Sequence, residues 1–186
     1  GALFNGLKGT GKTVTAKQLC NHLNLPVILI TFNDGNVHNF VNNINQDVII
    51  FVDEYEKIYE KDADMLSIMD GATNSDYRRI FLLTTNTLYL NDNLLQRPGR
   101  IRYLKTFKDL TPEIIEEVVE DCLIHKHLKK EVIHFISGLE SITIDIAKAV
   151  IQEVNIHNED PEVFSDIFNV KKLSGKYDIT IYNEDE

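Results

Sequence analysis

Apolar residues in the first hundred or so positions alternate between short unbroken runs and stretches with helical spacing. Ala2-Leu3-Phe4, Val27 to Thr31, Val48 to Val52 and Ile80 to Leu83 have strand length. Continuous runs of this kind predict strands buried on both faces of a parallel sheet. Ile101 to Phe107 completes a further strand. Between the runs, apolar side chains recur every three or four residues. One such stripe is Val14, Ala16, Leu19, Cys20 and Leu23, stopped by Leu25-Pro26. Val37, Phe40, Val41 and Ile44 form a second behind Asp34 as cap, and Met65, Leu66, Met69 and Ala72 a third behind Asp62.

From Thr111 the strand pattern gives way to helices. Thr111-Pro112-Glu113 is a cap followed by proline at the first helical position, leading into Ile115, Val118, Val119 and Cys122. Val132, Ile133 and Ile136 mark a second helix, and Ile146, Ala147, Val150, Ile151 and Val154 a third. Asp160-Pro161-Glu162 opens a fourth, with Val163, Phe164, Ile167 and Phe168 facing inward. The pattern predicts an α/β domain over 1–108, a parallel sheet flanked by helices, then a small helical domain over 109–170. Residues 171–186 form an extension in which Tyr177 to Tyr182 alternates like an edge strand or docking tail, ending in acidic Glu184-Asp185-Glu186. Because the chain opens inside its first strand, it is expected to be trimmed from a longer protein.

Chemistry enters at Gly6 to Thr13, Gly-Leu-Lys-Gly-Thr-Gly-Lys-Thr, which fits the phosphate-loop pattern at every fixed position. A strand before it and a helix after it supply the context in which glycine backbone N–H groups and a helix N-terminus bind phosphate. Gly6, Gly9, Thr10, Gly11, Lys12, Thr13 and Val14 are therefore the expected nucleotide contacts, with Lys12 on the phosphates and Thr13 also on Mg²⁺. The Val48–Val52 run ends in Asp53-Glu54, where an open α/β sheet binds ligands. Asp53 is the expected Mg²⁺ holder and Glu54 the candidate base for a water; an acidic helix cap is the plainer alternative. Asn86 ends the Ile80 run, either as a turn residue or as a hydrogen-bonding partner of water or γ-phosphate. Arg97 and Arg100 flank Pro98-Gly99 and are expected at an exposed corner, their guanidinium groups suited to phosphate.

Composition narrows the partners. The 186 residues carry 29 acidic and 19 basic side chains, a net charge of −10, which argues against a broad nucleic-acid surface. Cys20 and Cys122 both fall in apolar helical patterns and read as packing residues. No stretch reaches membrane-span length and none resembles a signal peptide, so the cytoplasm or an organelle matrix is the expected location.

Taken together, these residues resemble the AAA family of ATPases over nearly the whole chain. Gly6 to Thr13 looks like Walker A, the strand ending in Asp53-Glu54 like Walker B, and Thr84-Thr85-Asn86 through Arg97-Pro98-Gly99-Arg100 like the second region of homology. The resemblance implies a five-stranded parallel core with a helical lid. It also implies a homo-oligomeric ring, hexameric by analogy, with ATP and Mg²⁺ bound between neighbours. Asn86 would be the sensor-1 residue, and Arg97 and Arg100 would reach the adjacent subunit's γ-phosphate as arginine fingers. Phe32-Asn33-Asp34-Gly35, and Met69-Asp70-Gly71 leading into Thr84-Thr85-Asn86, look closer to the branch that includes the mitochondrial translocase of folded Rieske protein. No aromatic-apolar-glycine pore tripeptide lies between Thr31 and Val48, which speaks against threading through a narrow pore. Ile142-Thr143-Ile144-Asp145 offers no sensor-2 arginine. The expected activity is Mg²⁺-dependent ATP hydrolysis that remodels or translocates a protein partner. The alternatives are a DNA-transaction ATPase, such as a helicase loader or packaging accessory, and a nucleotide-gated assembly module without turnover.

Overall fold

Five strands form one sheet: β1 (Ala2–Gly6), β2 (Val27–Ile30), β3 (Val48–Val52), β4 (Arg79–Thr85) and β5 (Tyr103–Phe107). Their spatial order is β2-β3-β4-β1-β5, with every neighbouring pair parallel. Parallel neighbours require crossover connections. The described helices before β5 are α1 (Lys12–Leu23), α2 (Val37–Asn42), α3 (Tyr55–Ile58) and α4 (Asp62–Gly71). The computed structural model describes residues 1–33, 35–59, 62–71, 76–87 and 100–173; expectations resting on Asp34, Ala72, Arg97 and residues 177–186 lie outside them.

The unbroken apolar runs are explained by burial on two faces. Along β3, Val48, Ile50 and Val52 join Leu3, Phe81 and Leu83 in a core with Val41, Tyr55, Tyr59, Met65, Leu66 and Met69. Ile49 and Phe51 point the other way, with Phe4 and Leu82, onto Ala16 and Cys20 of α1. Intrinsic strand preference spans only about 1 kcal/mol, whereas fully burying one such side chain is worth roughly 1.5–3 kcal/mol. Double-sided burial therefore decides the strand.

β2 departs from that expectation. Among the described residues it pairs only with β3, and Val27 and Leu29 are 45% and 53% exposed. Both stand in register with Ile49 and Phe51, so they face the α1 side, which at this edge strand remains open to solvent. A continuous apolar run marks an edge strand here because periodicity does not report which strands flank it.

The chain divides into two compact units, Gly1–Asp109 with Thr143–Asp145, and Leu110–Ile142 with Ile146–Glu186. The second contains α5 (Pro112–Cys122), α6 (Lys129–Ser137) and most of α7 (Ile144–His157). Ile115, Val119, Leu123, Val132, Phe135, Ile136, Val150, Ile151 and Val154 are buried together in its core. Cys20 is buried as expected, but Cys122 is exposed. The buried stripe of α5 runs Ile115, Val119, Leu123 at four-residue steps, which leaves Cys122 beside it. The expected fourth helix is a single 3₁₀ turn, Pro161–Phe164, whose Asp160 carboxylate accepts the Glu162 N–H at 2.9 Å. Phe164 turns onto His157 and Phe168 onto Phe135, at ring separations of 5.1 and 6.2 Å, so the chain closes after one tight turn. Among the described residues no helix is long and apolar enough to cross a membrane.

Candidate nucleotide site

In a parallel sheet all strand C-termini share one edge, and β4 sits between β1 and β3. The turn after β1, the carboxylates after β3 and Asn86 after β4 are thereby gathered at one place. Val52 is in register with Leu83, which sets Asp53 level with Thr84. A cleft of about 230 Å³ opens there, lined by Lys8, Gly9, Gly11, Lys12, Thr13, Val14, Glu54, Asn86 and Asp145.

The loop from Gly6 to Gly11 delivers the chain to the N-terminus of α1. Gly11 caps that helix at φ 92°, a left-handed conformation that glycine adopts at little cost, and no acidic residue lies in the first turn. The helix's unpaired N–H groups and its partial positive charge are left for an anion. Gly6 stands at φ 145°, opposite Phe107 of β5. A Cβ there would lie 2.2 Å from the Phe107 carbonyl oxygen. Gly6→Ala is therefore expected to cost about 1–3 kcal/mol, read as a lower urea midpoint with unchanged slope. A midpoint equal to the parent's would show that the β1–β5 contact yields freely.

Lys12 is buried, and its Nζ donates to the Gly6 and Leu7 carbonyl oxygens at 2.9 and 2.6 Å. Burial lowers its pKa, and the charges of Glu56, Glu54 and Asp53 offset part of that effect. Thr10 Oγ1 donates to the Leu7 carbonyl at 2.7 Å. Val14 is 60% exposed at the rim.

Across the cleft, Asp53 Oδ1 accepts from Thr13 Oγ1 at 2.8 Å and from Thr84 Oγ1 at 2.6 Å. Thr84, wholly buried, also accepts the Glu54 N–H at 2.8 Å. One hydroxyl thus ties both acidic residues to β4. Glu54 sits at φ 50°, uncommon for a residue with a side chain, and the Thr84 bond fixes its backbone in that turn. Its carboxylate pairs with Lys57 and accepts from Asn86 Nδ2 at 2.6 Å. Lys57 first, then Asn86, hold the Glu54 carboxyl below the usual carboxylate range, against a smaller opposing effect of burial. Thr13 Oγ1 and Asp53 offer hard oxygen donors side by side, the donor chemistry that suits Mg²⁺.

The sequence-derived set Gly9, Gly11, Lys12, Thr13, Val14, Glu54 and Asn86 lines this cleft, and Asp53 is hydrogen-bonded to one of its members. Arg100 is placed differently from the exposed corner expected of it. It is only 8% exposed, and its guanidinium makes a two-point pair with Asp70 of α4, Nε to Oδ1 at 2.5 Å. The fork geometry that suits phosphate suits a carboxylate equally, and Asp70 lies within reach. Arg97 lies outside the described residues. Sequence reasoning missed Thr84 as the crossbar, as well as Glu56, Lys57 and Asp145. Two hydroxyls ending an apolar strand run were the available signal for Thr84. Where an arginine is absent from the start of α7, the Asp145 N–H donates to the Gly9 carbonyl at 3.2 Å.

Comparison with known proteins agrees with this geometry. Residues 2–108 match the family model described as ATPase family associated with various cellular activities (AAA). A probable mitochondrial chaperone bcs1 of Schizosaccharomyces pombe is 25% identical over 137 residues, covering 63% of this chain and 30% of that protein. Among solved structures, the RuvB Holliday junction branch migration motor of Thermotoga maritima superposes with a TM-score of 0.62 at 17% identity, covering 90% of this chain and 61% of that one. Two variants of that motor give 0.61 and 0.60, each at 16% identity. At such identities the structural likeness establishes the fold alone. The chain spans under a third of its curated relative's length and about three fifths of RuvB's. With a family match over its whole sheet and a phosphate loop facing the Asp53-Glu54 pair, this chain belongs to the AAA family of ATPases.

Proposed function

We propose that the chain is the motor portion of an Mg²⁺-dependent ATPase that assembles into a homo-oligomeric ring, a hexamer by family analogy, and remodels or translocates a protein partner. The observation that carries this reading is the hydrogen-bonded series Thr13–Asp53–Thr84–Glu54–Asn86, which joins a metal-type donor pair to a water-activating pair. ATP phosphates would lie over Gly9 to Thr13, with Lys12 Nζ exchanging loop carbonyls for phosphate oxygens. Thr13 and Asp53 would hold Mg²⁺, which when bound neutralises developing phosphate charge. Glu54 takes the proton of the attacking water and Asn86 fixes that water's position. Arg97 and Arg100 of a neighbouring copy complete the site, with Arg100 exchanging Asp70 for phosphate.

A protein partner is favoured by the net charge of −10 and by the chaperone named in the curated relative. The DNA-transaction alternative predicts ATPase stimulation by DNA that fades as salt rises. Phosphate release from ATP tests the core of the proposal. The oligomeric protein is expected to release phosphate with Mg²⁺, to stop when EDTA removes the metal, and to stop in Lys12→Ala. Release that continues in EDTA would overturn the metal assignment, and ATP binding without release would favour the assembly module.

A further inference from the structure

Glu56 lies two residues beyond Glu54, in the first turn of α3, and no role falls to it there. Its Oε1 accepts from the Asn86 backbone N–H at 2.9 Å and from Asn86 Nδ2 at 3.1 Å. The same Nδ2 donates to Glu54 Oε1 at 2.6 Å. An ionised carboxylate only accepts, so two of them around one amide nitrogen admit a single rotation of the Asn86 side chain. Both Nδ2 hydrogens are committed, and the polar atom that Asn86 retains is its carbonyl oxygen, an acceptor. Asn86 lines the cleft.

We propose that Glu56 is a positioning residue: it fixes the Asn86 amide so that Asn86 meets the attacking water with its carbonyl oxygen, instead of meeting phosphate with its NH₂. An acceptor next to the γ-phosphate would be repelled, whereas an acceptor beside Glu54 can share one water with it, Glu54 taking one hydrogen and Asn86 Oδ1 holding the other. The arrangement costs Glu56 something. Its second oxygen, Oε2, is buried with no hydrogen-bond partner among the described residues. A carboxylate kept half-satisfied fits a role served through Asn86 better than a role in its own helix.

The inference rests on the hydrolytic reading, and two measurements separate them. In the nucleotide-free protein, the Asn86 backbone and side-chain amide hydrogens are expected to exchange roughly tenfold faster with solvent in Glu56→Ala, while the backbone amide hydrogen of Leu83 in β4 is unchanged. Glu56→Gln keeps an acceptor oxygen and restores slow exchange. In turnover, Glu56→Ala lowers kcat about 10- to 100-fold with KM for ATP unchanged, and Glu56→Gln recovers most of it. Glu56→Asp, one methylene short, should resemble the alanine variant if that one folds poorly. Unchanged Asn86 exchange in Glu56→Ala would overturn the clamp whether or not the protein hydrolyses ATP. Faster exchange with an unaltered kcat, or a loss confined to KM, would overturn the positioning role. A wild type that binds but never hydrolyses ATP would overturn the hydrolytic reading, and the exchange result would still decide whether Glu56 orients the amide.

Discussion

Glu54→Gln is expected to lower ATP turnover by about 10²–10⁴-fold, the usual contribution of a positioned general base, while ATP still binds. Glutamine keeps the length of the side chain and an oxygen that can accept from Asn86 Nδ2, so the cleft retains its shape. It cannot take a proton from water, and it surrenders the charge that Lys57 faces. On the proposed function the phosphate contacts would belong to the loop on the other side of the cleft, at Gly9 to Thr13, which the change leaves untouched. Single-turnover hydrolysis together with a direct ATP-binding titration separates the two effects. Turnover within tenfold of the parent would remove Glu54 from its role; a parallel loss of binding would mean that the substitution had disturbed the Thr84 crossbar instead.

Arg97→Ala is expected to reduce turnover by about 10³–10⁵-fold, the range that arginine fingers supply in other phosphate-loop enzymes. If the arginine serves a neighbour's site, two inactive variants should complement one another. A Lys12→Ala subunit cannot use its own phosphate loop, yet it still carries an intact Arg97 for the next subunit. Mixed rings of Arg97→Ala and Lys12→Ala are therefore expected to regain measurable phosphate release, rising with the fraction of mixed neighbours. Activity that stays at the sum of the separate variants across all mixing ratios would exclude action in trans. Arg100 is a less direct probe, because it is tied to Asp70 in its own chain and its loss removes a partly buried ion pair along with any contact to phosphate.

Much of the fold is readable from the pattern because each buried run has one consistent solution. Val48–Val52 can satisfy its apolar residues on both sides only inside a sheet, and the helical stripes between runs supply the covering layers. The departures arise where burial depends on neighbours that are distant in sequence. Val27 and Leu29 look like Ile49 and Phe51 along the chain, yet β2 is an edge and they meet solvent. Cys122 shares the stripe's spacing but falls just outside it. In the site, the loop glycines, Lys12, Thr13 and the Asp53-Glu54 pair are local motifs with fixed spacing, and they are visible in the sequence. Thr84, Glu56 and Lys57 take their importance from hydrogen bonds made across strands or around one helical turn, which spacing does not encode. Arg100 shows the same limit from the other direction. Its chemistry was legible, but the carboxylate that occupies it lies 30 residues earlier in the chain.

The hydrogen bonds from Lys12 and Thr10 to the Gly6 and Leu7 carbonyls mean that the phosphate loop holds its shape by itself. On the proposed function, a nucleotide arriving there would exchange one set of oxygens for another on a loop already ordered, so the conformational entropy of that order would belong to folding and not to binding. Such a loop is a poor reporter of which nucleotide it holds, because ATP and ADP both offer a β-phosphate to the same preformed cradle. On the proposed function, discrimination between them would fall to the opposite wall, where Glu54 and Asn86 already hold each other. The two sides of the cleft would then divide the work, one retaining the ligand and the other sensing its state.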